Sequence, residues 1–328
     1  MRSHLKALFL YEKEIKMNVY GPVPSRRLGR SLGVNNIPPK KCTYACVYCQ
    51  VGKTTDFGIQ RKEYYNPGHL FDEVKDKVNK LEKANENIDY IALVPDGEPT
   101  LDIHLGGLIH KLKGLNLPVG VISNATLLYD EQVRKELGAA DWVSVKVDAV
   151  DRDIWKRINR PSKQLSLQRQ LEGIFAFSRE FKGDLVTETM LIQDYNDARD
   201  HLNDVADFIS RIKPSIAYIA IPTRPPAKKS IKKVSEETLT EAYEIFKKKI
   251  DKVEYLIGYE GDAFSSTGDA EQDILSITSV HPMREEALQK FISRTNQDWS
   301  LVEKMLENNR LKKTQYQGHN YYMRKLEA

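Results

Sequence analysis

Short runs of Val, Ile, Leu and Tyr alternate along the chain with amphipathic stretches. The strand-like runs fall at residues 31–37, 89–94, 118–123, 142–147, 185–192 and 216–221, each short and rich in residues that favour a pleated, half-buried surface. Between them apolar residues recur every three or four positions, as in Leu70, Val74, Val78 and Leu81 of the stretch 70–84. That spacing predicts a helix. The pattern repeats over 101–112, with Gly114 as a stop, and over 131–137, 165–181, 198–212 and 236–250. Regular strand–helix alternation predicts parallel βα units. Six units are too few to close an eight-fold barrel, so the expected fold class is α/β, a partial (β/α)6 barrel over residues 18–257.

The pattern then changes. Residues 258–268 (GYEGDAFSSTG) are rich in Gly and Ser and read as the core of a linker spanning 258–272. Residues 274–280 resemble a strand, 284–293 and 299–308 two helices, and 311–315 and 319–323 a hairpin around Tyr316-Gln317-Gly318. Two helices followed by a hairpin is the order of a winged helix. A winged-helix-like α+β appendage is therefore expected over 273–328. Met17, just before NVYGPVPSRR, is an alternative start and makes residues 1–17 an N-terminal extension.

Composition narrows the class. The chain has 328 residues, 41% apolar and 29% charged, which excludes wholesale disorder and fibrous classes. No apolar run approaches the roughly 20 residues of a membrane helix. Residues 5–11 (LKALFLY) are too short for a secretory signal and lead into EKEIK without a cleavage site, so a cytoplasmic protein is expected. The net charge is only +4, but it is unevenly spread. No acid occurs in 15–55, in 223–234 (TRPPAKKSIKKV) or in 310–325. Three basic patches suit a phosphate-bearing partner such as RNA or a phosphorylated small molecule. They equally suit an acidic electron donor, or simply solvated surface.

All three cysteines, Cys42, Cys46 and Cys49, lie within eight residues, a metal or redox pattern rather than a disulfide scaffold. Three close thiolates hold three irons of a four-iron cluster and leave the fourth without a protein ligand. The alternative is zinc completed by a distant histidine, of which His69 is the nearest downstream. Val143, Val145 and Val147 alternate with Ser144, Lys146 and Asp148, so a helix-packed outer face for the valines turns the polar trio inward. The trio is either an internal ion pair or a binding surface. Asn124, just past a strand end, is a helix cap or a ligand contact. Thr187-Glu188-Thr189-Met190 and, more weakly, Glu260 are further contacts on the same reasoning.

The Cys-x3-Cys-x2-Cys spacing, with Tyr48 before the last cysteine, resembles the cluster loop of radical S-adenosylmethionine (SAM) enzymes. YGPVPSRRLGRSLGVN, the DGEPT turn (Asp96–Thr100) and ILSITSVHPMREEAL extend the resemblance across nearly the whole chain from Asn18, to an uncharacterised group labelled wyosine-synthetase-like or Fe–S oxidoreductase. The resemblance implies a [4Fe-4S] cluster on Cys42, Cys46 and Cys49 whose open iron chelates SAM. One-electron cleavage of SAM then gives a 5′-deoxyadenosyl radical that abstracts hydrogen from a substrate, in an oxidoreductase or lyase-type reaction. It further implies Tyr48 near the adenine, Gly97, Glu98 and Pro99 at the methionine amino group, and Asn124, Ser144, Lys146 and Asp148 along the rest of the cofactor. An electron donor such as flavodoxin or ferredoxin follows. The DGEPT turn has Asp96 where the family usually has Gly. The chain also lacks the extra cysteines of the tRNA wyosine enzymes, which leaves tRNA as a substrate by label only. A nucleic-acid-binding iron–sulfur sensor without turnover, or an enzyme acting on a phosphorylated metabolite or a peptide, are the other readings.

Overall fold

The computed structural model describes residues 18–258, 261 and 264–325. The start at Met17, the 1–17 extension and Glu260 lie outside the described residues. Eight strands form one curled sheet in strict chain order: β1 Val19–Ser25, β2 Gly29–Val34, β3 Tyr90–Leu93, β4 Val119–Ser123, β5 Trp142–Lys146, β6 Asp184–Met190, β7 Ile216–Ala220 and β8 Val253–Leu256. β1 runs antiparallel to β2, and every later neighbour pair is parallel. The crossovers are α1 Pro67–Lys83, α2 Leu105–Lys113, α3 Glu131–Leu137, the pair α4 Arg152–Asn159 and α5 Leu167–Glu180, then α6 Arg199–Ile212 and α7 Glu236–Lys247. This is the expected α/β partial barrel.

The sheet exceeds the expectation by two edge strands. β1 carries Gly21, Pro22 and Pro24, which mask a strand in the sequence and are tolerated because the strand lies on an edge. β8 is only four residues long. The sequence reading also missed α4, a short helix whose start is capped by the Asp151 carboxylate.

The faces separate as alternation requires. Val143, Val145 and Val147 join the outer cluster under the helices. Trp142, Val186, Met190 and Tyr218 fill the interior with Tyr48 and Leu28 from the loops. Burying that outer layer supplies the main stabilisation, at roughly 25 cal/mol per Å² of apolar surface.

The C-terminal part comprises α8 Ala270–Val280, β9 Met283–Arg284, α9 Glu285–Arg294, α10 Ser300–Glu307, β10 Leu311–Tyr316 and β11 His319–Arg324, with the sheet order β9-β11-β10. The expected strand at 274–280 is therefore a helix. Its β-branched residues suggest a strand, but Asp269 caps the first turn by accepting from the Gln272 N–H. Residues 273–278 are then buried between β1 and the C-terminal sheet. Such all-round burial erases the polar face that marks a helix in sequence. Within the stretch read as a linker, Phe264 is fully buried in a second core with Tyr20, Val23, Ile274 and Phe291.

Candidate active site

The three cysteines sit in the long loop that leaves the carboxyl end of β2, the end at which βα folds place their sites. All three are free thiols. The loop is tied down from three directions and braced across itself. The Glu98 N–H donates to the Lys41 carbonyl (3.0 Å), and the Ala45 and Val47 N–H groups donate to the carbonyls of Asn159 and Ile158. The Thr54 hydroxyl donates to the Tyr44 carbonyl. Gln50 Oε1 accepts from the Thr223 and Arg224 N–H groups (3.1 and 2.7 Å). Two asparagines, from the loop after β4 and the end of α4, reach the sulfurs. Asn124 Nδ2 lies 3.6 Å from Cys42 Sγ and Asn159 Nδ2 lies 3.5 Å from Cys46 Sγ. Asn124 is thus a brace of the cluster loop, bonding Thr43 Oγ1 as well and accepting from Thr126. Asn159 carried no sequence signal.

Burial raises all three thiol pKa values, with Cys46 pushed up to about 12. A thiolate here needs a cation beside it, as a metal cluster provides. Three free thiols carried on one loop are a donor set that suits an iron–sulfur cluster, in which each thiolate takes its own iron.

The DGEPT turn follows β3. A Cβ at Gly97 would collide with the Lys41 carbonyl oxygen and the Ile37 side chain, so only glycine lets turn and cluster loop meet. Glu98 is 1% exposed. Its Oε1 accepts from the Thr100 N–H (3.1 Å), Thr100 Oγ1 (2.6 Å) and Ser123 Oγ (2.7 Å), and its Oε2 accepts from the Asn124 N–H (2.7 Å). Burial raises its pKa against those bonds. Pro99 opens a one-turn 3-10 helix capped by that same Glu98 side chain. Asp96 pairs with Lys40.

The inner face of β5 and β6 holds the charged group. Lys146 Nζ is 2.7 Å from Glu188 Oε1 and 3.9 Å from Asp148 Oδ1, and it lies 5.0 Å above the Tyr48 ring. Burial opposes its charge, but the Asp148 and Glu188 carboxylates outweigh that and raise its pKa. Glu188 also pairs with Arg27 from the β1–β2 turn. Asp148 accepts from the Tyr48 hydroxyl, from Asn159 Nδ2 (2.7 Å) and from the Met190 N–H (2.9 Å). So two of the trio, Lys146 and Asp148, are paired within the protein, with Glu188 rather than Asp148 as the nearer partner of Lys146. Ser144 Oγ differs. It is fully buried on this face and has no hydrogen-bond partner, which is rare for a native hydroxyl and fits a site that takes a polar ligand.

The basic runs look different once folded. In the first, Arg27, Arg30, Lys40 and Lys41 pair with Glu188, Glu86, Asp96 and Asp56. In the last, Arg310 and Lys313 pair with Glu271 and Glu285. In the middle run Lys229, Lys232 and Lys233 stay exposed.

A family model of the radical SAM superfamily matches residues 36–209. The UPF0026 protein MJ1312 of Methanocaldococcus jannaschii is 42% identical over 311 residues, covering 94% of this chain and 96% of that protein. The UPF0026 protein slr1464 of Synechocystis sp. is 38% identical over 209 residues, 63% of this chain and 76% of that protein. Among solved structures, TYW1 with a lysine–pyruvate adduct bound shares the fold with a TM-score of 0.54 at 17% identity, over 67% of this chain and 74% of that one. Among the described residues no helix is long and apolar enough to cross a membrane.

Proposed function

This chain belongs to the radical SAM superfamily and has UPF0026 relatives, and on that premise we propose that it cleaves SAM reductively and abstracts hydrogen from a substrate. Superfamily members use a [4Fe-4S] cluster and SAM, which together supply one-electron cleavage of the sulfonium to a 5′-deoxyadenosyl radical. The observation that carries the proposal is three free thiols on one braced loop at the carboxyl ends of the strands, above an interior lined by a charged network and an orphan hydroxyl.

In this reading Cys42, Cys46 and Cys49 hold the cluster. Asn124 and Asn159 donate to its thiolates, which makes the reduced state easier to reach. Ser144 offers its unpartnered hydroxyl to the cofactor. Lys146 offers a cation already fixed by Glu188, so little reorganisation is needed on binding. Tyr48, locked to Asp148, gives the loop a rigid inner wall. Gly97, Glu98 and Pro99 act mainly by holding the loop in register. The reductant is an acidic redox protein, flavodoxin- or ferredoxin-like. Beside Ala45 of the cluster loop an open groove of ≈ 1140 Å³ carries Arg152, Lys156, Lys163 and Arg211 against Glu172, a sign complementary to such a donor. An oxygen-sensitive cluster fits a reducing cytoplasm.

RNA is the second reading of the substrate. It rests on exposed Lys229, Lys232 and Lys233 and on the C-terminal helix–strand–helix–helix–hairpin order of a winged helix, the module expected over 273–328. Binding that weakens steeply with salt is its mark.

The test is anaerobic reconstitution of wild type and Cys46→Ala, followed by dithionite, SAM and measurement of iron and 5′-deoxyadenosine. Product from wild type and none from the variant is expected. Zinc in place of iron ends the proposal. Iron without product, together with loss of nucleic-acid binding on oxidation, transfers it to the sensor reading.

A further inference from the structure

The loop after β7 lies along the second half of the cluster loop, and their backbones pair. The Ala227 N–H donates to the Cys49 carbonyl at 2.8 Å and the Lys228 N–H to the Val47 carbonyl at 3.1 Å. Gln50 adds its side chain by accepting from the Thr223 and Arg224 N–H groups. The near end of this strap is held by the C-terminal part. The Tyr321 hydroxyl donates to the Thr223 carbonyl at 2.9 Å, and the Tyr316 hydroxyl donates to the Pro222 carbonyl at 3.3 Å. We propose that the C-terminal part positions the cluster: Tyr321 and Gln50 are positioning residues that fix the Cys49 end of the cluster loop through the strap 222–228. The inference rests on the reading above in taking the three cysteines as cluster ligands.

The strap is built to transmit position. Pro225 and Pro226 stand between its two sets of contacts. Proline fixes φ and has no N–H to give away, so a shift at Thr223 is carried to Ala227 instead of being absorbed between them. The far end is pinned as well. Ile231 is buried in the barrel interior, and the Lys232 carbonyl accepts from the Gln193 N–H at 3.2 Å.

The clamp stands on a fixed base. Tyr321 is 1% exposed, and its hydroxyl also accepts from Arg284 Nε at 3.0 Å. Its neighbour Tyr322 packs in the second core with Phe264, Ile274 and Phe291, against Tyr20 and Val23 of β1. The C-terminal part is therefore seated on the barrel's own edge strand and reaches from there to the strap. Groups behind the ligands of a metal centre set how those ligands are aimed. Here the chain Tyr321, Thr223, Gln50 ends one residue from Cys49.

Amide hydrogen exchange on the full-length chain, read both with and without reconstituted iron, tests this at residues 46–51. Tyr321→Phe should speed exchange there about fivefold, the size of one lost hydrogen bond. Gln50→Met should do the same, and Gln50→Glu, which keeps an acceptor oxygen, should restore protection. Combining Gln50→Met with Tyr321→Phe should add nothing to Gln50→Met alone, as expected of two residues acting through one chain of contacts. Tyr322→Phe is the control. It removes a hydroxyl that donates to Glu285 within the C-terminal part (2.6 Å), and it should leave 46–51 unchanged. Iron release to a ferrous chelator from the loaded protein should follow the same order. Thermal melting checks that each variant is folded, and Tyr316→Phe takes the place of any that is not. Unchanged exchange at 46–51 in folded Tyr321→Phe overturns the inference. So does equal acceleration by Tyr322→Phe, or an additive effect in the double variant. The two ideas fail separately. Exchange that follows the variants in a chain that holds no iron sinks only the cluster reading, and SAM cleavage by wild type with exchange unmoved by the variants sinks only this inference.

Discussion

Two regions flank the cluster loop, and each buries a carboxylate. At the DGEPT corner Glu98 is held entirely by neutral donors: two backbone N–H groups and two hydroxyls. On the inner face of β5 and β6, Glu188 is held by a lysine and an arginine, and Asp148 by a phenol, an amide and an N–H. Four neutral donors fix the Glu98 carboxylate in place without cancelling its charge, so we propose that the corner acts first as architecture. Shared cations leave a charged surface that a ligand can join, so we propose that the face is where the cofactor binds. The comparison predicts that damage to the corner shows first in stability, and damage to the face first in binding.

The largest effect should come from Gly97→Ala. The new methyl meets the Lys41 carbonyl, a backbone atom that cannot swing aside. Overpacking of this kind costs about 3 kcal/mol, read as a lower melting temperature together with failure to retain iron. A stable, iron-loaded variant would break the architectural reading of the corner. Next is Glu98→Ala, which strands four buried donors and should cost about 2–3 kcal/mol. Glu98→Gln should cost less, because the Thr100 and Ser123 hydroxyls can turn to accept. Equal losses in the two would mean that the charge of Glu98, not its acceptor geometry, matters.

Lys146→Met tests the other side. Glu188 keeps Arg27 as a partner, so the melting temperature should barely move, within about 1 kcal/mol of stability. SAM affinity should fall about tenfold with loss of one charge-assisted contact. If stability drops and affinity does not, the face is a structural ion-pair network and the distinction between the two regions collapses.

How much of this could be read in the sequence follows the same division. Alternation alone turned Val143, Val145 and Val147 outward and Ser144, Lys146 and Asp148 inward, because strand side chains have a strict period of two. The cysteine spacing is local and equally legible. Pairing across the barrel is not. Nothing near Arg27 in the chain announces Glu188, and nothing near Cys46 announces Asn159. These contacts depend on the curl that brings distant strand ends together. The first and last acid-free runs misled for the same reason: several of their lysines and arginines meet acids contributed by other segments. The helix at 270–280 was hidden by its own burial, and β1 by its glycine and prolines.

The smallest effect concerns His201, which stands behind the charged face with Nε2 3.5 Å from the Asp148 carbonyl. Burial lowers its pKa, and Arg157 adds to that. The Asp148 carbonyl, Asp151 and Asp204 act in the opposite direction without prevailing. The folded protein therefore takes up this proton less readily than the unfolded chain. As pH falls below the unfolded value of about 6.5, the unfolded state gains the proton first and stability declines, levelling off once the folded state is protonated too. The slope from one such group cannot exceed about 1.4 kcal/mol per pH unit. Denaturant unfolding of wild type and His201→Gln between pH 7 and 5 isolates it, with the variant expected to lose less stability on acidification. Parallel curves would mean that the proton is accommodated in place. In that case the charged face tolerates a cation behind Asp148 as well as the one beside it.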